Sequence, residues 1–207
     1  GYFIKNKKKK YYLMKKLNGD LKNNIAVFIS GRGSNLNSII NYSLKKKTIY
    51  KVKLVISNKQ KAKGLLVAKK YRIRNYFIDI TKSKKLGNKV LNILKKNKIK
   101  LVCLAGFMKI LPAYFVKQYS GKIINIHPSL LPKYKGLNTH QKVIDNNEKF
   151  TGCTVHYVNR FLDSGKIISQ NKVRISKKDN FKSIKKKVLK IEHKIYPIAI
   201  NKVLSNL

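Results

Sequence analysis

Two rhythms of apolar residues divide the chain. Ile25-Ala-Val-Phe-Ile29 is an unbroken apolar run of strand length, the pattern of a strand buried on both faces. Ser30-Gly-Arg-Gly-Ser-Asn35 interrupts it. Apolar residues then recur at Leu36, Ile39, Ile40 and Leu44, one face of a helix that lysines close. The alternation repeats with a strand over Val52–Ile56, a helical pattern over Ala62–Tyr71 and a short strand over Tyr76–Ile80. A helix spaced at Leu86, Val90, Ile93 and Leu94 follows, then a buried strand over Leu101–Ala105 that runs into Gly106-Phe-Met-Lys-Ile-Leu-Pro112. Ile123–His127 is another strand, which Pro128 and Pro132 bring to an end. Beyond Gly136 the pattern predicts a short helix around His140–Asn146 and a hairpin of strands Thr151–Val158 and Lys166–Ile175 joined through Asn159–Gly165. A final amphipathic helix carries Phe181, Ile184, Val188, Ile191 and Ile195 on one face, and Pro197 ends or kinks it.

Strands alternating with helices at this spacing predict an α/β fold. The expected form is a Rossmann-like open, mostly parallel sheet with helices on both faces and a C-terminal antiparallel strand pair. Ligands of such sheets sit beyond the carboxyl ends of the strands, where strand order reverses. The Ser30–Asn35 turn, the Met108–Leu111 segment and the pair Asn125 and His127 each follow a strand directly, so all three fall along that edge.

Composition adds one departure from the ordinary. Among 207 residues, 49 Lys and Arg stand against 7 Asp and Glu, a formal charge of +42. Such a balance fits anionic small molecules, nucleic acid or an acidic surface. The cations are spread along the chain amid abundant Lys, Asn and Ile, as compositional drift in an AT-rich genome produces, and no nucleic-acid-binding module accompanies them. Anionic small molecules are therefore the expected partners, and nucleic acid is not. No apolar run approaches the length of a membrane span. Cys103 and Cys153 lack Cys or His partners at metal-ligand spacing and read as buried thiols of a reducing, cytoplasmic compartment. Residues 1–22 are Lys-rich without a signal-peptide core and contain Met14, so a dispensable, disordered basic leader is expected there.

The candidate chemistry lies at the strand ends. Strand, Gly-rich turn and helix aim free backbone N–H groups and a helix dipole at an anion. Gly31 and Gly33 let the backbone turn, and Ser34 or Asn35 can cap the helix. The turn lacks the full dinucleotide fingerprint and a Walker lysine, so it suits a single phosphate; a plain tight turn is the other reading. Asn125 and His127, two apart on a strand, share one face. Either they place an amide donor and an imidazole beside a reacting oxyanion, or His127 is a buried core histidine. Only seven acids exist, so Asp163, in a Leu-Asp-Ser-Gly turn after a strand, and Glu192, beside the apolar stripe of the last helix, stand out. Asp79, Asp145, Glu148 and Asp179 read as surface or cap residues. A carboxylate near an imidazole orients it and raises its pKa; Asp163 is also a plain turn former. No nucleophile elbow is present.

Five motifs occur in order: Ser30-Gly-Arg-Gly-Ser-Asn-Leu36, Leu104-Ala-Gly-Phe-Met-Lys-Ile-Leu111, Asn125-Ile-His-Pro-Ser-Leu-Leu-Pro-Lys-Tyr-Lys-Gly136, Thr154-Val-His-Tyr-Val158 with Leu162-Asp163, and Glu192-His-Lys-Ile-Tyr-Pro197. Together they resemble the phosphoribosylglycinamide formyltransferases, folate-dependent enzymes of purine synthesis, from about Ile25 to the C-terminus. The resemblance implies formyl transfer from 10-formyltetrahydrofolate, without a metal, to the amine of glycinamide ribonucleotide. By position, it implies that Gly33, Ser34 and Asn35 hold the phosphate and that Glu192 contacts the glycinamide end. Met108, Lys109, Ile110, Leu111 and Asn125, with Asn159, Arg160, Phe161, Leu162 and Asp163, would line the folate site. Asn125, His127 and Asp163 would be catalytic, and His156 a supporting or core residue. It also implies one formyltransferase domain over residues 23–207, with a ribonucleotide side in the N-terminal half and a folate and catalytic side in the C-terminal half, acting as monomer or homodimer. Lys109 stands where the family usually has Arg, and a basic residue expected near the folate falls at Lys84 or Lys85. His140 and His193 look structural or exposed. Formyltetrahydrofolate hydrolase, another folate-dependent formyltransferase such as methionyl-tRNA formyltransferase, and a non-enzymatic basic RNA-binding protein are the alternatives.

Overall fold

The computed structural model describes residues 22–207, so the expected leader lies, apart from Lys22, outside the described residues. Seven strands and six helices make up that part. The strands are β1 (Asn23–Ile29), β2 (Tyr50–Ser57), β3 (Arg74–Phe77), β4 (Leu101–Leu104), β5 (Lys122–His127), β6 (Phe150–Tyr157) and β7 (Ile167–Arg174). The helices are α1 (Ser34–Ser43), α2 (Lys63–Lys70), α3 (Lys84–Lys96), α4 (Ala113–Gln118), α5 (Thr139–Asp145) and α6 (Phe181–Ser205). All strands join one sheet in the order β3-β2-β1-β4-β5-β6-β7. The first five are parallel, and β6 and β7 run antiparallel to their neighbours. Strand order reverses between β1 and β4, which puts the turns after both strands at the crevice.

Period-two alternation sends the strand side chains to two cores. Ile25, Val27 and Ile29 of β1 join Leu36, Ile39 and Ile40 of α1 and Val188, Tyr196 and Ile200 of α6 on one face. Ala26 and Phe28 join Val90 and Leu94 of α3 and Phe115 of α4 on the other. Tyr196 is fully buried, and its hydroxyl donates to the Leu104 carbonyl at 2.8 Å with the Ile124 carbonyl 3.2 Å away, tying α6 across β4 and β5. Among the described residues no helix is long and apolar enough to cross a membrane.

Three elements differ from the sequence reading. The third strand covers Arg74–Phe77 rather than Tyr76–Ile80; pairing to β2 decides its position, while Ile78 and Ile80 bury themselves in the loop beyond it. Helix α4, only six residues after Pro112, is too short for a periodic pattern to mark it. Helix α6 neither ends nor breaks at Pro197 but continues to Ser205. Proline has no N–H for the carbonyl four residues back, and the Ser38 hydroxyl supplies the missing donor, reaching the His193 carbonyl at 2.6 Å.

Candidate active site

The first wall of the site is the end of β1. Gly33 is the N-cap of α1 with φ 77°, a conformation that favours glycine. A Cβ there would lie 2.6 Å from the Gly64 Cα, and the Gly64 N–H in turn donates to the Gly31 carbonyl at 2.9 Å. The sequence suggests Ser34 or Asn35 as the cap, but neither caps the helix. The cap position is one residue earlier and makes no side-chain hydrogen bond, so the first N–H groups of α1 stay open toward an anion. Asn35 is used differently: its Nδ2 donates to Glu192 Oε2 at 2.7 Å from the opposite wall. Both residues are buried. Burial pushes the Glu192 carboxyl up to about 7 against the opposing hydrogen bond from Asn35. This wall thus joins two residues 157 positions apart in the chain.

The second wall is the end of β5. Asn125 and His127 point to one side of the sheet, and antiparallel register puts His156 of β6 opposite Asn125. His156 Nδ1 lies 2.8 Å from the Tyr157 carbonyl, which can only accept, so that nitrogen carries the hydrogen. Its Nε2 lone pair then accepts from Asn125 Nδ2 at 3.2 Å, which leaves the second amide hydrogen free. By the same logic His127 Nε2 donates to the Tyr134 carbonyl at 2.8 Å. The Nδ1 edge faces Asp163 Oδ2 at 3.4 Å, and Asp163 Oδ1 lies 3.6 Å from His156 Nε2. Asp163, in the left-handed region at φ 44°, also accepts the Gly136 N–H at 2.9 Å.

Burial lowers the His127 pKa by more than the Tyr134 carbonyl and Asp163 raise it, and His156 and Lys142 lower it further. That corrects the expectation that the carboxylate leaves a net rise: desolvation of the buried ring is the larger effect. Burial raises the Asp163 carboxyl, but the His156 ring, the Gly136 N–H and the His127 ring, the two imidazoles acting in their protonated forms, outweigh it and hold it below its ordinary value.

A cavity of about 1180 Å³ joins these walls. Ser34, Asn35, Met108, Lys109, Ile110, Leu111, Asn125, His127, Asn159, Phe161, Leu162, Asp163 and Glu192 all line it. Gly33 shapes the turn without lining the cavity, and Arg160 faces a smaller neighbouring one of about 620 Å³ instead. Neither Lys84 nor Lys85 reaches it; they open α3, and Thr81 lines the wall there. His140 lines the cavity too, in contact with the Phe181 ring. Sequence reading passed over Ser30, whose hydroxyl accepts the Met108 N–H at 2.8 Å and donates to Asn58 at 2.6 Å, fastening the Met108–Leu111 segment to the phosphate-type turn. It also passed over the cations Arg32, Lys142 and Lys185 at the cavity wall. Arg32 lies within the Gly-rich turn that the sequence marks, whereas nothing in the sequence separates Lys142 and Lys185 from the other basic residues.

Residues 23–200 match the formyl transferase family. A phosphoribosylglycinamide formyltransferase of Haemophilus influenzae is 40% identical over 179 residues, which cover 85% of this chain and 84% of that protein. The chain belongs to the phosphoribosylglycinamide formyltransferase family. The crystal structure of the family member from Anaplasma phagocytophilum superposes with a TM-score of 0.83 at 38% identity, covering 89% of this chain and 88% of that one. The chain is also 40% identical over 187 residues to the trifunctional purine biosynthetic protein adenosine-3 of Gallus gallus, of which it spans 18%. As in that transformylase family, the sheet is mostly parallel with antiparallel strands at its C-terminal edge.

Proposed function

We propose that this chain transfers the formyl group of 10-formyltetrahydrofolate to the amine of glycinamide ribonucleotide in purine synthesis, by direct attack of the amine. The observation that carries the reading is that Asn125, His127 and Asp163 share one cavity with the uncapped start of α1 and with Glu192. The ribonucleotide's phosphate would take the N–H groups of Ser34 and Asn35, and Glu192 would receive the glycinamide end. The folate would lie along Met108–Leu111 and the loop from Asn159 to Asp163, its carboxylates drawn to Lys109.

As the amine nitrogen bonds to the formyl carbon, negative charge develops on the formyl oxygen. The free hydrogen of Asn125 Nδ2 and the Nδ1–H of protonated His127 donate to that oxygen, and Asp163 supports the imidazolium. The amine gives up a proton, the carbon–nitrogen bond to the folate breaks, and its electron pair and a proton return to the folate nitrogen. Burial disfavours the His127 cation, so the developing oxyanion and Asp163 together must favour it. One oxyanion donor contributes about 3 kcal/mol to barrier lowering. Both thiols, Cys103 and Cys153, are free and buried, which suits a reducing compartment such as the cytoplasm.

The test is turnover of purified protein with both substrates. Folate release that depends on the ribonucleotide supports the reading, and release with water alone supports a hydrolase. Folded His127→Ala and Asp163→Asn variants should lose roughly a hundredfold or more in kcat. Near-parental kcat in both would sink the mechanism.

A further inference from the structure

Glu148 lies outside the cavity, yet its Oε1 accepts two hydrogen bonds of 2.7 Å, from Lys133 Nζ and from the Tyr134 hydroxyl. Those two bonds hold its carboxyl below the ordinary range, so it is ionised. Its backbone is fixed as well. The Glu148 N–H donates to the Val143 carbonyl and the Asn147 N–H to that of Ile144, with Asn147 at φ 49°, a Schellman end to α5. What this fixed acceptor holds is the loop leaving β5.

Tyr134 sits at φ 57°, a left-handed conformation that is costly for a tyrosine and turns its carbonyl onto His127 Nε2. Two residues later the Gly136 N–H meets Asp163. The stretch Tyr134-Lys135-Gly136 therefore touches both side chains at the centre of the site. It is anchored outside by Glu148 and inside by Ser129, whose hydroxyl donates to the Lys133 carbonyl at 2.7 Å. The groups facing His127 are Asp163 from the β6–β7 loop, His156 of β6, Lys142 and His140 of α5, and the Tyr134 carbonyl.

We infer that Glu148 is a positioning residue, which through the Tyr134 hydroxyl holds the loop carbonyl that fixes the tautomer and ring orientation of His127. The inference rests on the reading of His127 as the oxyanion-stabilising group. Without the anchor, Tyr134 relaxes toward an unstrained backbone, its carbonyl leaves Nε2, and either ring nitrogen can carry the hydrogen. The same carbonyl raises the His127 pKa, so loosening it lowers that pKa further.

Nitrogen-15 histidine spectra of the full chain, titrated with pH and paired with formyl-transfer kinetics, test this. The parent should show His127 as the Nε2–H tautomer. Glu148→Ala and Tyr134→Phe should show mixed tautomers, a His127 titration moved to lower pH, and kcat reduced about tenfold, with both KM values within about twofold. Glu148→Gln keeps an acceptor oxygen and should restore most of both signals. Unchanged tautomer and titration in folded Glu148→Ala and Tyr134→Phe overturn the inference. If His127→Ala keeps full kcat, the functional reading fails, and the spectra still decide whether Glu148 positions the ring.

Discussion

At the scale of single residues, Glu192 is, among the described residues, the carboxylate whose surroundings cost most. Its folded value of about 7 stands above the ordinary 4.5. The folded protein therefore keeps a proton that the unfolded chain has lost between those values, and the stability this contributes falls as pH rises from about 4.5 through 7. Glu192→Gln is neutral at every pH and still accepts from Asn35. Thermal melts should show it more stable than the parent at pH 8, by up to about 3 kcal/mol, and no more stable at pH 4. Under the proposed function the same variant should raise the ribonucleotide KM by about tenfold or more, since an interaction with a charged partner is lost. Equal melting of the two proteins at pH 8 would show that the carboxylate is not strained. Residue pairs like this were only half legible in sequence. The rarity of acids singled out Glu192 and Asp163, and the two-residue spacing set Asn125 and His127 on one face. That Asn35 and Glu192 bond directly, 157 positions apart, depends on how α1 and α6 pack, which no local spacing encodes.

At the scale of elements, most strands and helices followed from period alone, because β1, β2, β4 and β5 each contribute to both cores. The misses had local causes. A short edge strand is placed by its neighbour rather than by its own apolar residues, and Pro197 is tolerated because a serine on another helix serves the carbonyl it strands. Helix ends were also hidden. Helices α2 and α3 close with the same hydrogen-bond pattern as α5, but with Arg72 at φ 54° and Lys98 at φ 51° where glycine is the usual residue. Arg72→Gly and Lys98→Gly should each stabilise by roughly 0.5–1 kcal/mol, seen as a rise in Tm, because the gain from relieved backbone strain exceeds the added unfolded-state entropy. The opposite change is damaging at the turn after β1. Gly33→Ala forces a Cβ against Gly64 in a left-handed backbone, and a clear loss of Tm together with weakened ribonucleotide binding should follow in calorimetry.

For the whole molecule, the charge of +42 acts on both stability and encounter. Self-repulsion among 49 cations disfavours the compact state, and salt screens it. Tm should therefore climb between about 20 and 300 mM salt, over which the screening length falls several-fold. The proposed substrates are both anions, and Arg32, Lys109, Lys142 and Lys185 stand around the cavity. kcat/KM should accordingly fall over the same salt range while kcat changes little. A salt-independent kcat/KM would mean that the charge does not guide the substrates.

The bond between Asn35 and Glu192 has a consequence for the order in which the protein is made. A ribosome delivers α1 well before α6, so the sheet from β1 to β5 can assemble while one side of the cleft is still missing. Until the final helix docks, Asn35 lacks its carboxylate partner, and Leu104 and Ile124 lack the hydroxyl of Tyr196. Under the proposed function, recognition of the ribonucleotide waits for α6 to dock, and ligand present at that moment would favour closure.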